Sequence, residues 1–346
     1  MKRGIIALTL SSMFILSAFP AQAAYTLNWK ELTLNAQINA SLQSALFYEP
    51  NNTADHQSRS NYDASLLLNA EWLNPQGWLL GARFELDSGD RTNEALQRDE
   101  AYLYFVDHYG RIEIGKQDGP ADRLSYHAPI LGLGQIRGDF ARYTGDLALL
   151  SPLDSGDSAK IIFLSAPSKG LRYGLSYAPR YHKENGSPNP AARTLQNNAV
   201  EMSIRYKQPL KDYIWGISAS YVNAQSDPIT QRADINSWSI GSQLRRKRLT
   251  IGAAYVQRGD SNQLIDFDQW EINAGISWQN KTWGVALSSS NTLSNTSRHR
   301  LIGFGGFKKL RSNLTFRSDL VITEERNSQF GRRHGYAFIS ELDVKI

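Results

Sequence analysis

Residues 32 to 42 alternate without a break. Leu32, Leu34, Ala36, Ile38, Ala40 and Leu42 are apolar, and Thr33, Asn35, Gln37, Asn39 and Ser41 are polar. Side chains along a β-strand point to opposite faces in turn, so this segment has one apolar and one wet face. The pattern recurs along the rest of the chain with no helical block between repeats. It predicts strands at 32–47, 62–73, 78–86, 100–106, 111–116, 159–166, 171–179, 199–207, 213–223, 235–245, 249–258, 268–279, 282–290, 300–309, 312–323 and 335–345. The count is sixteen, give or take one hairpin.

The connections alternate in length. Long polar links are expected at 49–61, 87–99, 117–158, 180–198, 224–234, 259–267, 291–299 and 324–334. Tight links are expected at 74–77, 107–110, 167–170, 208–212, 246–248, 280–281 and 310–311. Barrels of bacterial outer membranes keep short turns on the periplasmic side and longer loops outside. A soluble sandwich has no reason to hold that parity, which here places both termini on the periplasmic side. Trp72, Trp78, Tyr102, Tyr104, Tyr109, Tyr213, Trp215, Trp270, Trp278 and Trp283 fall close to the turns. Amphipathic rings at strand ends suit a lipid–water boundary, although aromatics favour strands in general. In lipid no backbone amide stays unpaired, so such strands must close. The expected fold is all-β: a transmembrane antiparallel β-barrel with the apolar face towards lipid.

Composition sharpens this reading. Hydrophobic residues are 41% of the chain, yet mean hydropathy is −0.43, too polar for a bundle of membrane helices. There is no Cys, which excludes disulfides, thiolate metal sites and a lipoprotein anchor. Lys2 and Arg3, the apolar stretch 4–19 and the small-x-small site Ala21-Gln22-Ala23 predict a cleaved signal peptide over 1–23, with the barrel domain over 24–346. An uncleaved anchor helix is the alternative. The formal net charge is +5, and losing Lys2 and Arg3 removes two of those charges, which leaves little basis for nucleic-acid binding.

Sixteen strands enclose a space too wide for wall side chains to fill, so selectivity must come from lumen charges and a constriction. The link 117–158 holds Asp118, Asp122, Asp139, Asp146, Asp154 and Asp157 with Arg123, Arg137 and Arg142. Its apolar, Gly-rich middle, residues 129–134, suits a segment folded into a barrel; an outer lid or a subunit contact is the alternative. Strand parity puts Arg83, Arg172, Arg205, Arg245 and Arg317 on the wet face. Each could instead neutralise a carboxylate such as Glu85, Glu113, Glu201 or Glu271. As a set the arginines exceed those acids, which points to weak anion preference. Asp-Ser-Gly-Asp at 87–90 and 154–157 reads as a polar turn rather than a Ca²⁺ loop. Arginines in the outer links, among them Arg298, Arg326 and Arg332, suit lipopolysaccharide phosphates or simple solvation. No Gly-x-Ser-x-Gly elbow or His-Glu-x-x-His motif occurs, so catalysis, a cofactor and a catalytic metal are not expected.

The stretch Arg98-Asp99-Glu100-Ala101-Tyr102-Leu103-Tyr104, with residues 109–117 after it, resembles the general diffusion porins of Gram-negative bacteria. The local likeness covers about twenty residues; the strand and loop scheme covers the whole mature chain. The resemblance implies a homotrimeric sixteen-stranded barrel in the outer membrane, with a long third loop folded inward. It also implies an eyelet in which loop acids, here drawn from Asp118, Asp122 and Asp139, face basic wall residues. Arg98 matches the wall arginine before the family's fourth strand, and Lys116 the basic residue ending the fifth. Two departures stand out: the sequence ends in Ile346 where the family has Phe, and the third loop lacks the Pro-Glu-Phe-Gly-Gly stretch. The implied function is passive diffusion of small hydrophilic solutes. The alternatives are a substrate-specific channel for a sugar, oligosaccharide or anionic metabolite, and a non-conducting adhesion or scaffold barrel.

Overall fold

Each strand pairs antiparallel with the one before it, through tight turns and longer links in alternation, and a ring of sixteen closes on itself. The computed structural model describes residues 25–48, 57–89, 97–144, 148, 150–152, 154–183, 194–226, 233–259, 261, 268–295, 297–327 and 331–346. The strands are β1 (Tyr25–Trp29), β2 (Leu32–Tyr48), β3 (Gln57–Leu73), β4 (Leu79–Gly89), β5 (Gln97–Val106), β6 (Gly110–Lys116), β7 (Ala159–Ser165), β8 (Leu171–Lys183) and β9 (Thr194–Leu210). They continue with β10 (Tyr213–Ser226), β11 (Ile235–Arg246), β12 (Leu249–Gly259), β13 (Gln269–Gln279), β14 (Trp283–Ser294), β15 (Ser297–Arg311), β16 (Leu314–Asn327) and β17 (Gly331–Lys345). Two one-turn helices, α1 (Pro120–Arg123) and α2 (Ala141–Thr144), fall between β6 and β7.

β2 to β17 form the closed ring of sixteen that the alternation predicts. The seam pairs β17 with β2, from Tyr336 opposite Tyr48 to Lys345 opposite Asn39. β1 is a seventeenth strand, absent from the sequence reading. It pairs with β2 from Tyr25 opposite Ala36 to Trp29 opposite Leu32. It takes up the edge of β2 just beyond Ile346, whose backbone exchanges two hydrogen bonds of 2.7 Å with Ile38. Five residues are too few for alternation alone to mark a strand.

Burial is inverted relative to a soluble protein. On β10, Gly216, Ser218, Ser220, Val222 and Ala224 are buried while Tyr221 between them is exposed. Leu103, Ile114 and Phe304 are 61%, 56% and 53% exposed, whereas Gln43, Glu271 and Asn273 on the other face are fully buried. An apolar band outside and a polar wall inside is the pattern of a barrel in lipid. Aromatic pairs edge the band. Trp72 meets Trp78 at 5.0 Å and Trp278 meets Trp283 at 4.6 Å at the tight-turn end. Tyr48 stacks with Tyr336, and Tyr255 bridges Trp238 and Trp270, at the other end. Tyr104 is not part of a girdle: it is buried on the polar face and donates to Glu71 at 2.6 Å. Tyr102 shares that face, near Arg111.

The outer links expected at 49–61, 87–99, 180–198 and 224–234 are shorter than the sequence suggests, because the flanking strands run on into them. The links expected at 291–299 and 324–334 shrink to 295–296 and 328–330, because β14 to β17 continue pairing through those positions. Beyond the bilayer both faces are wet, so alternation disappears while the hydrogen-bond ladder goes on. Link 117–158 stands as predicted, between Lys116 and Ala159. The leader 1–23 lies outside the described residues.

Candidate permeation path

Segment 117–158 is tied along its length to the polar side of the strands. At its base, the fully buried Glu201 of β9 accepts the Ala121 N–H at 3.2 Å and the Ser155 N–H at 3.0 Å, with the Ser155 hydroxyl on the same oxygen. Lys160 of β7 places its ammonium 3.5 Å from that oxygen. One carboxylate therefore holds both ends of the segment. Ser218 of β10 accepts the Tyr126 N–H at 2.6 Å, Gln243 of β11 donates to the His127 carbonyl at 2.9 Å, and Asn273 of β13 accepts the Ala128 N–H at 2.8 Å. Ser288 of β14 donates to the Pro129 carbonyl at 2.5 Å. Asp319 of β16 accepts the Leu133 and Gln135 N–H groups at 3.0 and 2.8 Å. At the far end Tyr143 donates to Gln43 of β2 at 2.6 Å and accepts from Asn61 of β3 at 2.7 Å.

The backbone approaches the strands closely. A Cβ on Gly241 would lie 1.7 Å from the Tyr126 carbonyl oxygen, and one on Gly303 would lie 2.6 Å from the Gln135 Cβ. Both strand positions need glycine for this contact. The apolar part of the segment, Ala128, Ile136, Phe140, Tyr143, Ala148 and Leu150, packs with Ala45, Phe47, Leu301, Val321, Ala337 and Ile339 in one buried cluster. A polar cleft of about 290 Å³ remains between Gly132, Leu133 and Asp139 of the segment and Asn39, Asp63, Arg317 and Glu341 of the wall.

The basic residues singled out from sequence divide into two kinds. Arg83 on β4 is neutralised: its Nε is 2.7 Å from Glu100 and an Nη 2.9 Å from Glu85. Arg317 on β16 is likewise held by Glu341 at 2.8 Å and Asp343 at 3.0 Å. Arg172 on β8 and Arg205 on β9 are direct cross-strand partners. Arg172 donates to the Ser165 carbonyl at 3.3 Å, and Arg205 lies over the Tyr126 ring at 5.6 Å. Neither has a carboxylate within salt-bridge distance among the described residues. Arg111 and Arg123, not singled out as a pair beforehand, converge on the buried Glu113 of β6. Arg111 also covers the Tyr104 ring at 3.7 Å. Arg245 is exposed near the tight-turn end of β11. Arg98 pairs with Leu86 through its backbone, and its side chain lies outside the described residues.

The acids of the segment are distributed along it, with one cluster at its base. Asp122 accepts from Ser151 at 3.2 Å, and Asp139 accepts from Gln43 at 2.7 Å. Asp118 and Asp157 sit together at the base, with Glu100 beside them; their carboxylate oxygens lie within 4.8 Å of one another. Burial, then the charges of Asp157, Asp122 and Asp154, push the Asp118 carboxyl up to about 7. Burial, then Asp99, pushes Asp157 up to about 6, against the opposing charges of Lys116 and Lys160. Brought together with one oxygen each, three carboxylates supply at most half of the roughly six to eight oxygens Ca²⁺ takes. The Asp-Ser-Gly-Asp sequence at 154–157 is a turn in which Asp154 accepts the Gly156 N–H at 3.2 Å. Asp146, and Asp90 of the other copy, lie outside the described residues.

Sixteen closed strands with an apolar exterior and a charged interior define a transmembrane channel of the outer-membrane kind. The sequence matches the Gram-negative porin family over residues 7–328, and the chain belongs to that family. It is an outer-membrane channel for passive diffusion; the family is one of channels, not of enzymes. Solved structures agree in fold. An anion-selective porin from Comamonas acidovorans superposes with a TM-score of 0.66 at 12% identity, covering 91% of this chain and all of that one. OmpF of Salmonella typhi, solved with daunomycin, gives 0.65 at 11% identity over 93% of this chain and 100% of its own. The outer-membrane channel DcaP of Acinetobacter baumannii gives 0.64 at 10% identity over 94% and 100%. No curated relative matches the chain.

Proposed function

We propose that this porin is a general diffusion channel with a weak preference for anions. Segment 117–158 lies in the lumen and sets its narrowest part. The observation that carries the preference is the Arg172–Arg205 pair, adjacent across two strands and without a carboxylate partner. Arg111, Arg123 and Lys116 extend the basic stretch, while Asp118, Asp122 and Asp139 supply the opposing loop charge. The raised Asp118 and Asp157 carboxyls carry only part of their negative charge near neutral pH, which favours the cationic wall. Arg83, Arg245 and Arg317 stand on the same wet face, with Arg83 and Arg317 locally neutralised. Opposed charges across a waist orient dipolar solutes and discourage apolar ones.

The proposal extends to processing and assembly. Residues 1–23 are a signal peptide removed on export, and 24–346 form the barrel domain. The barrel assembles as a homotrimer, consistent with a related OmpT of Vibrio cholerae solved in a trimer form. Its outer face meets membrane lipid and lipopolysaccharide, and small hydrophilic solutes pass inside.

Reversal potentials in planar bilayers under a salt gradient test the reading. Wild-type channels should show a modest anion preference. Joint replacement of Arg172→Ala and Arg205→Ala should move the reversal potential towards cations, and Arg83→Ala should do so by releasing Glu85 and Glu100. No shift in any of these variants would sink the assignment of the waist. A saturable, solute-blocked current would instead favour a substrate-specific channel.

A further inference from the structure

The last five tight turns are basic. Across 169–172, 205–212, 245–248, 281 and 308–311 the chain carries thirteen Lys and Arg and one acid, Asp212. These stretches form one arc of the tight-turn mouth, from the start of β8 to the end of β15. The ion pair on this arc among the described residues joins Arg246 to Asp212, exposed and at 3.9 Å. At the first turns the signs are mixed, with Lys30 beside Glu31 and Asp107 between β5 and β6. The charge therefore lies on one side of the mouth.

Part of this arc turns into the lumen. Arg172 of β8 pairs with Arg205 of β9, and Arg205 with Ser218 of β10. One wet position nearer the turn on β9 is Lys207, opposite Gly216, which is opposite Gln243 of β11. One wet position nearer the turn than Gln243 is Arg245. Alternation puts all four cations on the face whose Ser218 and Gln243 hold segment 117–158. Lys207 and Arg245 are exposed, and neither has a carboxylate within salt-bridge distance among the described residues. Tyr126 of the segment marks the inner end of this track. Its ring centre lies 5.6 Å from the Arg205 guanidinium, and a Cβ on Gly216 would lie 2.4 Å from the ring. Cations thus descend from the proposed waist to the mouth, with each wet step about 7 Å along a strand. The Debye length is about 8 Å at physiological salt, so neighbouring steps share one field.

We propose that this track makes the tight-turn mouth a second selecting station, one that favours linear dianions, such as six-carbon dicarboxylates, over monoanions of equal size. A dianion in a positive potential gains twice what a monoanion gains, so its local enrichment is the square of the other's. A chain charged at both ends can reach the next cation before it leaves the last. The track concentrates solute rather than holding it, so current stays linear in solute concentration. The inference rests on the anion preference proposed above and deepens it; what it adds is the mouth and the class of anion.

The test compares adipate with its half-amide in planar bilayers at pH 8, as permeability ratios from reversal potentials at about 0.1 M ionic strength. The two solutes differ by one charge at nearly the same size. The dianion should permeate the wild type at least three-fold better. That advantage should vanish at about 1 M salt, where the Debye length is about 3 Å and each step acts alone. Lys207→Ala with Arg245→Ala should cut the advantage by at least half, while the waist arginines keep the channel anion-preferring. The chain has no Cys, so Lys207→Cys introduces one addressable thiol. That variant should lose part of the advantage, regain it with a thiol reagent carrying an ammonium group, and lose the rest with one carrying a sulfonate. Each value comes from a conducting channel, so misfolding cannot mimic it. Equal permeability of the two solutes in an anion-preferring wild type overturns the proposal. So does a ratio that ignores the double variant or the sign of the reagent. A dianion advantage in a wild type without chloride preference would count against the waist and support the mouth.

Discussion

Glu201 shows how much a single side chain does here. It is fully buried, accepts from both ends of segment 117–158 and faces the equally buried Lys160. Removing one partner of a buried pair leaves the other charged and unsolvated, which costs about 3–5 kcal/mol. Glu201→Gln keeps the shape but donates where the site needs an acceptor. We expect a lower temperature for the loss of the folded band on electrophoresis, together with noisier open-channel current as the segment's base loosens. A quiet current at wild-type stability would show that the remaining wall contacts suffice. Double replacement of Glu201→Gln and Lys160→Met should recover part of the lost stability, because the stranded ammonium is gone. The sequence offers Glu201 only as a wet-face acid that could neutralise a wall arginine. Its role depends on where a segment some fifty to eighty positions earlier in the chain comes to rest.

At the scale of elements, segment 117–158 carries the pH dependence. Asp118 and Asp157 bind protons more tightly in the folded chain, at about 7 and about 6, than an unperturbed Asp near 3.9 does. The folded state therefore holds more protons than the unfolded one between about pH 4 and 7, so these groups favour folding least at high pH. Stability from this source falls as pH rises through that window. Acidification from pH 8 to 5 should also remove up to two negative charges from the proposed waist. The reversal potential should then move further towards anions, with a midpoint between the two values, and Asp118→Asn should flatten most of the change. A profile that is flat in the wild type, or unchanged in Asp118→Asn, would exclude the cluster from the path. The strands and the extent of this segment were legible because alternation in lipid is strict and a forty-residue link has no room within it. The extra strand β1 was too short to show alternation. The continuation of β15 and β17 past the bilayer was hidden because both faces there are wet. Arg172 and Arg205 could be placed on the wet face by parity, but their adjacency needs the register of β8 against β9. Tyr104 was read as a boundary ring because it sits near a turn; parity with Tyr102 could have put it inside.

The whole molecule depends on one seam. β17 closes on β2 only as far as Ile346, and β1 takes over the same edge from Ala36 onward. Between them, Ile346 and Ile38 exchange two backbone hydrogen bonds, and Lys345 donates to the Asn313 carbonyl at 2.9 Å. In water each such bond contributes about 1 kcal/mol net, and loss of all three would be felt without being decisive. Against lipid, no solvent replaces a missing partner, so an opened seam costs several kcal/mol for each bare group. Deleting Lys345 and Ile346 should therefore lower the yield of folded barrel several-fold when the chain is refolded into detergent or vesicles. Trimming a solvated outer link by two residues should not. Ile346→Phe keeps the backbone bonds and adds a ring at the tight-turn boundary, so its yield should equal or exceed the wild type. If the deletion folds as well as the wild type, β1 alone seals the edge of β2. Removing Tyr25–Trp29 in that background should then be the step that prevents closure.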